Sequence, residues 1–72
     1  MKTEYFEVNR KIKNYPWKVG DFLKGYVLAD CYILGGYNVG SSTKKELITS
    51  GAIVKISKKE LTRILIGRNV IN

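Results

Sequence analysis

The segment from Phe22 to Leu34, FLKGYVLADCYIL, decides the fold because its residues are compatible with either a strand or a helix. Its aromatic and β-branched side chains favour a strand, and Gly25 would weaken a helix. Against this, Asp21 could cap a helix here and Gly35 could end it. We predict strand for this segment and keep helix as the alternative.

Outside this segment, alternation of apolar and polar side chains indicates further strands. Residues Glu4 to Ile12 place Phe6, Val8 and Ile12 on one face, which is typical of a half-buried strand. Ala52 to Ile56, AIVKI, is a short strand candidate. The sequence therefore supports two to three short strands.

Two helices are predicted from a repeated start signal. Thr43 to Glu46 (TKKE) and Ser57 to Glu60 (SKKE) both match a capping box, in which a hydroxyl and a glutamate satisfy the first backbone N–H groups. Gly51 would end a short middle helix, and Gly67 would end a C-terminal one. We predict an α+β fold, a small single domain over residues 1–72, with two to three short strands packed against the C-terminal helix and the short middle helix.

If Phe22–Leu34 is helical instead, the fold becomes winged-helix-like. The order is then helix, turn, helix, short strand, helix. Over residues 22–66 this layout is similar to the small helix-turn-helix or winged modules of phage-type regulators and excisionases. That similarity implies DNA binding, with the middle helix, residues 43–50, approaching the DNA.

The size of the chain limits how it can be stabilised and where it resides. With 72 residues, one cysteine and no histidine, it can form neither an internal disulfide nor a zinc site. A domain this short buries only about 60% of its unfolded surface, so a homo-oligomer or a bound partner is a reasonable expectation. A lone cysteine and the absence of a long apolar segment predict a cytoplasmic protein without a membrane partner.

The chain offers little to an enzyme. It has no histidine, and its six carboxylates are scattered, so no acid–base pair is evident. Cys31 lies in an apolar run without a base, as a structural cysteine would. The glycine-rich stretch Gly35 to Lys45 has Ser41 where a phosphate-binding P-loop needs lysine. We predict a protein with no catalytic residues, no metal and no cofactor.

The charge of +7 predicts a polyanionic partner, because seven basic and only two acidic residues fall in residues 44–72. The lysine pairs of TKKE and SKKE would lie in first helical turns, where the helix dipole disfavours cations. We predict a small nucleic-acid-binding regulatory or accessory protein, with DNA favoured and phosphates contacted by these helix starts. The predicted contact residues are Lys44, Lys45, Lys58, Lys59, Arg63, Ser41, Ser42 and Asn38.

The alternative is a non-enzymatic protein-binding module, or an inhibitor of a larger protein, of the kind that phages and mobile elements encode. Tryptophan and tyrosine dominate the energetics of protein interfaces. All eight aromatic residues lie in the first 37 positions. The contact surface would then centre on Tyr15, Trp17 and Tyr37.

Overall fold

Strands account for most of the regular structure in this protein. The computed structural model describes residues 2–57, 59–60, 62 and 70–71. The strands are β1 (Glu4–Val8), β2 (Phe22–Leu28), β3 (Cys31–Leu34), β4 (Tyr37–Val39), β5 (Ile53–Ile56) and the two-residue β6 (Val70–Ile71), and helix α1 (Ser41–Thr49) lies between β4 and β5.

The first five strands form one antiparallel sheet in the order β4-β3-β2-β1-β5. Strands β1 to β4 follow one another as a meander, and α1 carries the chain from the β4 edge to the β5 edge. Strand β6 pairs in parallel with the start of β2, where Phe22 faces Val70. The predicted α+β fold, with two to three strands on two helices, is therefore wrong: residues 2–57 form a five-stranded antiparallel sheet with one short helix.

The segment from Phe22 to Leu34 explains one part of this difference. Strand was the correct prediction, but the segment folds back on itself as the β2–β3 hairpin, in which Tyr26 faces Ile33. Ala29 and Asp30 make the turn with positive φ angles of 48° and 65°. The winged-helix alternative is wrong, because a helix here would remove the two strands at the centre of the sheet.

The second part of the difference lies in the glycine-rich stretch, which forms a hairpin and not only a loop. Gly35 and Gly36 have φ angles of 57° and 85° and join β3 to β4. Two positive φ angles in succession are the mark of the tight hairpin turn whose twist matches that of the flanking strands. Glycine adopts this conformation without the steric cost that a side chain would bring.

Helix α1 begins earlier than its sequence signal predicts. Gly40 is its N-cap residue, and no side chain caps the helix, so the predicted capping role of Thr43 is wrong. Its end is as predicted: Gly51 has a φ of 78°, and its N–H donates to the carbonyl of Ile48. The middle helix is thus confirmed, displaced by two residues at its start.

The second capping box is confirmed in its first half, because the backbone N–H of Glu60 donates to Ser57 Oγ over 3.1 Å. Lys59, Glu60 and Thr62 have helical backbone. The remainder of the predicted C-terminal helix, including Leu61, Ile64, Leu65 and Gly67, lies outside the described residues. No helix in the described part of the chain is both long and apolar enough to cross a bilayer.

The hydrophobic core lies on one face of the sheet, under α1 and the loop before β2. Phe6 and Leu23 face each other across β1 and β2, and both are fully buried. Phe6 and Val8 confirm the predicted alternation, although β1 ends at Val8 and Ile12 enters the core from the loop. Burying each such side chain stabilises the fold by about 1.5–3 kcal/mol. The other core members include Trp17, Leu34, Val39, Leu47, Ala52 and Ile53.

Candidate nucleic-acid interface

Lys44, the first of the predicted phosphate-binding residues, is already engaged within the fold. Because α1 begins at Ser41, Lys44 lies in the second helical turn, so the argument from the helix dipole does not apply to it. Its Nζ lies 2.9 Å from Glu4 Oε1 and 4.1 Å from the centre of the Tyr32 ring. Only 26% of the side chain is exposed. Lys44 therefore neutralises a carboxylate of its own chain, and its role as a phosphate contact stays a prediction.

Glu4 collects three donors at the edge of the core. Besides Lys44, the Tyr32 hydroxyl donates to Oε1 over 2.9 Å, and Lys55 Nζ lies 3.3 Å from Oε2. Burial alone would raise the pKa of Glu4, but the hydrogen bonds from Lys44, Tyr32 and Lys55 lower it to about 2. Burial, and then the hydrogen bond to the Glu4 carboxylate, raise the pKa of Tyr32. Glu4 is thus ionised at neutral pH and holds two cations.

Gly25 makes this arrangement possible. It faces Glu4 on β1 and Leu34 on β3, so it lies between the strands that carry Glu4 and Tyr32. A Cβ atom at position 25 would overlap the Tyr32 hydroxyl and lie 2.8 Å from its Cζ. The missing side chain lets the Tyr32 ring cross β2 and reach the carboxylate, a close approach of the kind that glycine in a strand often marks.

Five of the seven remaining predicted nucleic-acid contacts lie among the described residues. Lys45, Lys59 and Ser42 are exposed, whereas Lys58 and Arg63 lie outside the described residues. Asn38 and Ser41 are brought together with Lys44 in a groove of about 410 Å³, which Asp30 also lines. Lys44, the one cation among the described residues that line this groove, is already paired with Glu4.

A different cluster of cations lies on the connection between β1 and β2, residues 9–21, which we call the basic loop. Arg10, Lys11, Lys13 and Lys18 are all exposed there, and Asp21 is the one carboxylate in the loop. In the part of the chain that the structure describes, both ion pairs end on Glu4, so no lysine of the basic loop takes part in one. The charges of Lys11, Lys13 and Lys18 are therefore available to a partner.

The basic loop is held in place by hydrogen bonds to the sheet. The N–H of Val8 donates to the carbonyl of Asp21, and that of Gly20 donates back to Val8. The Arg10 guanidinium donates to the Ser50 carbonyl over 3.2 Å, which ties the loop to the end of α1. The lysines of the loop therefore project from a backbone that is hydrogen-bonded to the rest of the fold.

The three residues predicted as a protein interface form one aromatic cluster beside these lysines. Tyr15 stacks on Trp17 with ring centres 4.3 Å apart, and Tyr37 meets both rings edge-on at 5.6 and 6.0 Å. Trp17 is only 2% exposed and belongs to the core, and its role at a protein interface stays a prediction. Tyr37 is 43% exposed and Tyr15 is partly exposed, so these two rings can contact a partner.

Two grooves meet at Tyr15. One, of about 270 Å³, is lined by Lys11, Lys18 and Val19 together with Pro16 and Trp17. The other, of about 380 Å³, lies between Lys13 and Asn14 on the loop and Thr43 and Glu46 on α1. The stretch KIKNYPWK signals this surface, because lysines interleaved with aromatic residues are typical of nucleic-acid contact. The charge balance of the sequence indicates a different surface, because the larger excess of positive charge lies in residues 44–72.

Comparison with known proteins assigns no family to this chain. No family model matches it, and searches of curated proteins and of solved structures found no match. Its function has to be inferred from the surface itself.

Proposed function

We propose that this protein binds nucleic acid, as a small regulatory or accessory protein, through the basic loop. The observation that supports the proposal is that Lys11, Lys13 and Lys18 are exposed on one anchored loop and form no ion pair among the described residues. A cluster of one sign of charge raises the local concentration of a polyanion. Lys45 and Lys59, which are also exposed, add to the attraction from the helices.

Phosphate contacts of this kind release counterions, so affinity falls steeply with salt. Each neutralised phosphate contributes about −0.7 to −0.9 to the slope of log affinity against log salt. Three lysine contacts would then lower the affinity roughly 20–40-fold between 50 and 200 mM salt. A partner bound through apolar contacts would show almost no such dependence.

The test is a titration of labelled single-stranded and duplex DNA at these two salt concentrations. The triple variant Lys11→Gln, Lys13→Gln, Lys18→Gln is compared with the charge-matched control Lys2→Gln, Lys45→Gln, Lys59→Gln. We expect the loop variant to lose most of the binding at 50 mM salt and most of the salt dependence, whereas the control keeps more than half of the slope. Equal losses would show that net charge, not the loop, attracts the DNA. No binding of the wild type at 50 mM salt would reject the proposal.

A protein partner is the second candidate, because the same surface also exposes apolar side chains. Val19 is 64% exposed at the rim of the smaller groove, and Tyr37, which contacts Tyr15 edge-on, is 43% exposed. A partner with an acidic rim around an apolar centre would fit this arrangement. Here Val19→Ser and Tyr37→Ser should weaken capture of the partner at high salt, whereas DNA binding would depend on the lysines.

A further inference from the structure

We infer that the nucleic acid bound by the basic loop is single-stranded, with an unpaired base seated against Tyr15 and Tyr37. The inference rests on the proposed function and names the form of nucleic acid that the surface selects. Its basis is that Tyr15 lines two grooves that also carry lysines, and that Tyr37 contacts the Tyr15 ring edge-on.

We call Tyr15 the ridge, because it lines both grooves. Lys11 and Lys18 lie along the first groove, and Lys13 lies along the second. A strand that crosses the ridge would therefore meet a cation before and after the ring. Cations that follow the backbone, with rings between them on which bases stack, are the arrangement used to bind single strands.

The rings are fixed in place before any base arrives. Tyr15 lies parallel to Trp17, with an interplanar angle of 4°, and Trp17 is anchored in the core. Tyr37 stands nearly perpendicular to both rings, at 79° and 80°. Since these side chains are already ordered, stacking a base on them loses little conformational freedom.

The dimensions of the grooves suit a flat ring better than a duplex. Their volumes, about 270 and 380 Å³, lie near the lower end of the roughly 300–1,000 Å³ found for small-molecule sites. The faces of duplex bases are covered by their neighbours, and only their edges are presented in the grooves of the DNA. An exposed tyrosine ring therefore has a stacking partner only where a base is unpaired.

Glu46 restricts the path of the strand. It lines the second groove on the α1 side, opposite Lys13 and Asn14. A phosphate would be repelled from the glutamate and attracted to the lysine. The backbone should therefore run along the loop side of this groove, with the base turned toward Tyr15.

The experiment compares three probes of equal phosphate number: a thymidine oligonucleotide, the same strand with abasic sites in place of its bases, and a duplex. Binding is measured by fluorescence anisotropy at 50 mM salt. We expect the thymidine strand to bind at least about tenfold more tightly than either other probe. Tyr37→Leu should remove most of this preference without changing the affinity for the abasic strand. Glu46→Gln should strengthen the binding of all single strands about two- to threefold.

The outcomes separate this inference from the proposed function. If all three probes bind equally and the loop lysine variant abolishes binding, the basic loop is an interface for phosphates alone, and the inference is wrong. If the duplex binds best, the inference is wrong in the same way. If no probe binds, the proposed function itself fails. Tyr37 is suited to the test because it lies at the surface, and an unchanged unfolding midpoint confirms that the Tyr37→Leu variant is folded.

Discussion

Two sets of lysines in this protein differ in whether they form ion pairs. Lys44 and Lys55 converge on the two oxygens of Glu4, at 2.9 and 3.3 Å. Lys11, Lys13 and Lys18 are exposed on the basic loop and meet no carboxylate in the described part of the chain. The first pair contributes to the fold, whereas the second set is left to attract something else.

A candidate site is therefore indicated by charges that have no partner within the fold, and not by the number of charges in a stretch of sequence. The C-terminal part of the sequence holds the larger excess of lysine and arginine. Two of those lysines are nevertheless neutralised by a glutamate on the first strand. A count of charges in one stretch of sequence misses an ion-pair partner that is 40 or 51 residues away. It therefore overestimates the unpaired positive charge in residues 44–72 and underestimates that of the basic loop.

The largest expected loss of stability follows from a substitution at Gly25, which leaves room for the Tyr32 hydroxyl to reach Glu4. We call Glu4, Tyr32, Lys44 and Lys55 the Glu4 cluster. Gly25→Val should destabilise the protein by about 2–3 kcal/mol, because the new side chain overlaps Tyr32 and displaces its hydroxyl from Glu4. Urea unfolding measures the loss. The double variant Gly25→Val, Tyr32→Leu should recover part of it, since the smaller side chain leaves the space. A Gly25→Val protein as stable as the wild type would contradict this account of the cluster.

A smaller effect is expected when the carboxylate itself is removed. Glu4→Gln should cost about 1–2 kcal/mol at pH 7, because it leaves Lys44 half-buried without its counter-charge. Glu7→Gln, on the same strand, is the matched control and should cost less than about 0.5 kcal/mol.

The pH dependence of stability tests whether the ionised carboxylate of Glu4 causes this loss. The pKa of Glu4 is about 2 in the folded protein and about 4.3 in an unfolded chain. Its contribution to stability is therefore complete above the unfolded value and is lost as the pH falls toward 2. The difference between wild type and Glu4→Gln should shrink between pH 5 and pH 3. A difference that is constant over this range would show that the charge of Glu4 does not matter.

The smallest effects are the ones that test the comparison directly. Lys44→Gln should lower stability by about 1 kcal/mol and leave DNA affinity nearly unchanged, because its charge is already neutralised. Lys13→Gln should do the reverse, weakening binding a few-fold at low salt while changing stability by less than about 0.5 kcal/mol. Unfolding and titration of the same two variants provide both readouts. If both substitutions weakened DNA binding equally, the distinction between paired and unpaired lysines would be wrong.

The sequence was sufficient for the elements with local signals and insufficient for those fixed by tertiary contacts. The alternation around Phe6 and Val8 and the serine cap at Ser57 depend on near neighbours, and both were predicted correctly. The Ala29–Asp30 turn is not evident from the sequence, because alanine is not among the residues usually found at a positive φ in a tight hairpin. The extra strands follow from that turn and from the Gly35–Gly36 turn, where the sequence alone predicts a loop.

The same reasoning applies to the candidate site. Lysines interleaved with Tyr15 and Trp17 are visible in the sequence of the basic loop, so the basic side of this surface could have been predicted from residues 11–18 alone. The stacking of Tyr15 on Trp17, and the approach of Tyr37 from β4, depend on how the hairpins pack. No spacing in the sequence specifies that these three rings meet.

The position of β1 has a consequence for how the chain is made. This strand pairs with β2 on one side and with β5 on the other, and Val8 faces Ile53. A ribosome that adds roughly 5–20 residues per second delivers β5 about 2–9 s after β1. During that interval the meander can form, but one edge of β1 has no strand beside it. The nascent chain is therefore most vulnerable to pairing with another copy until the strand after α1 emerges and completes the sheet.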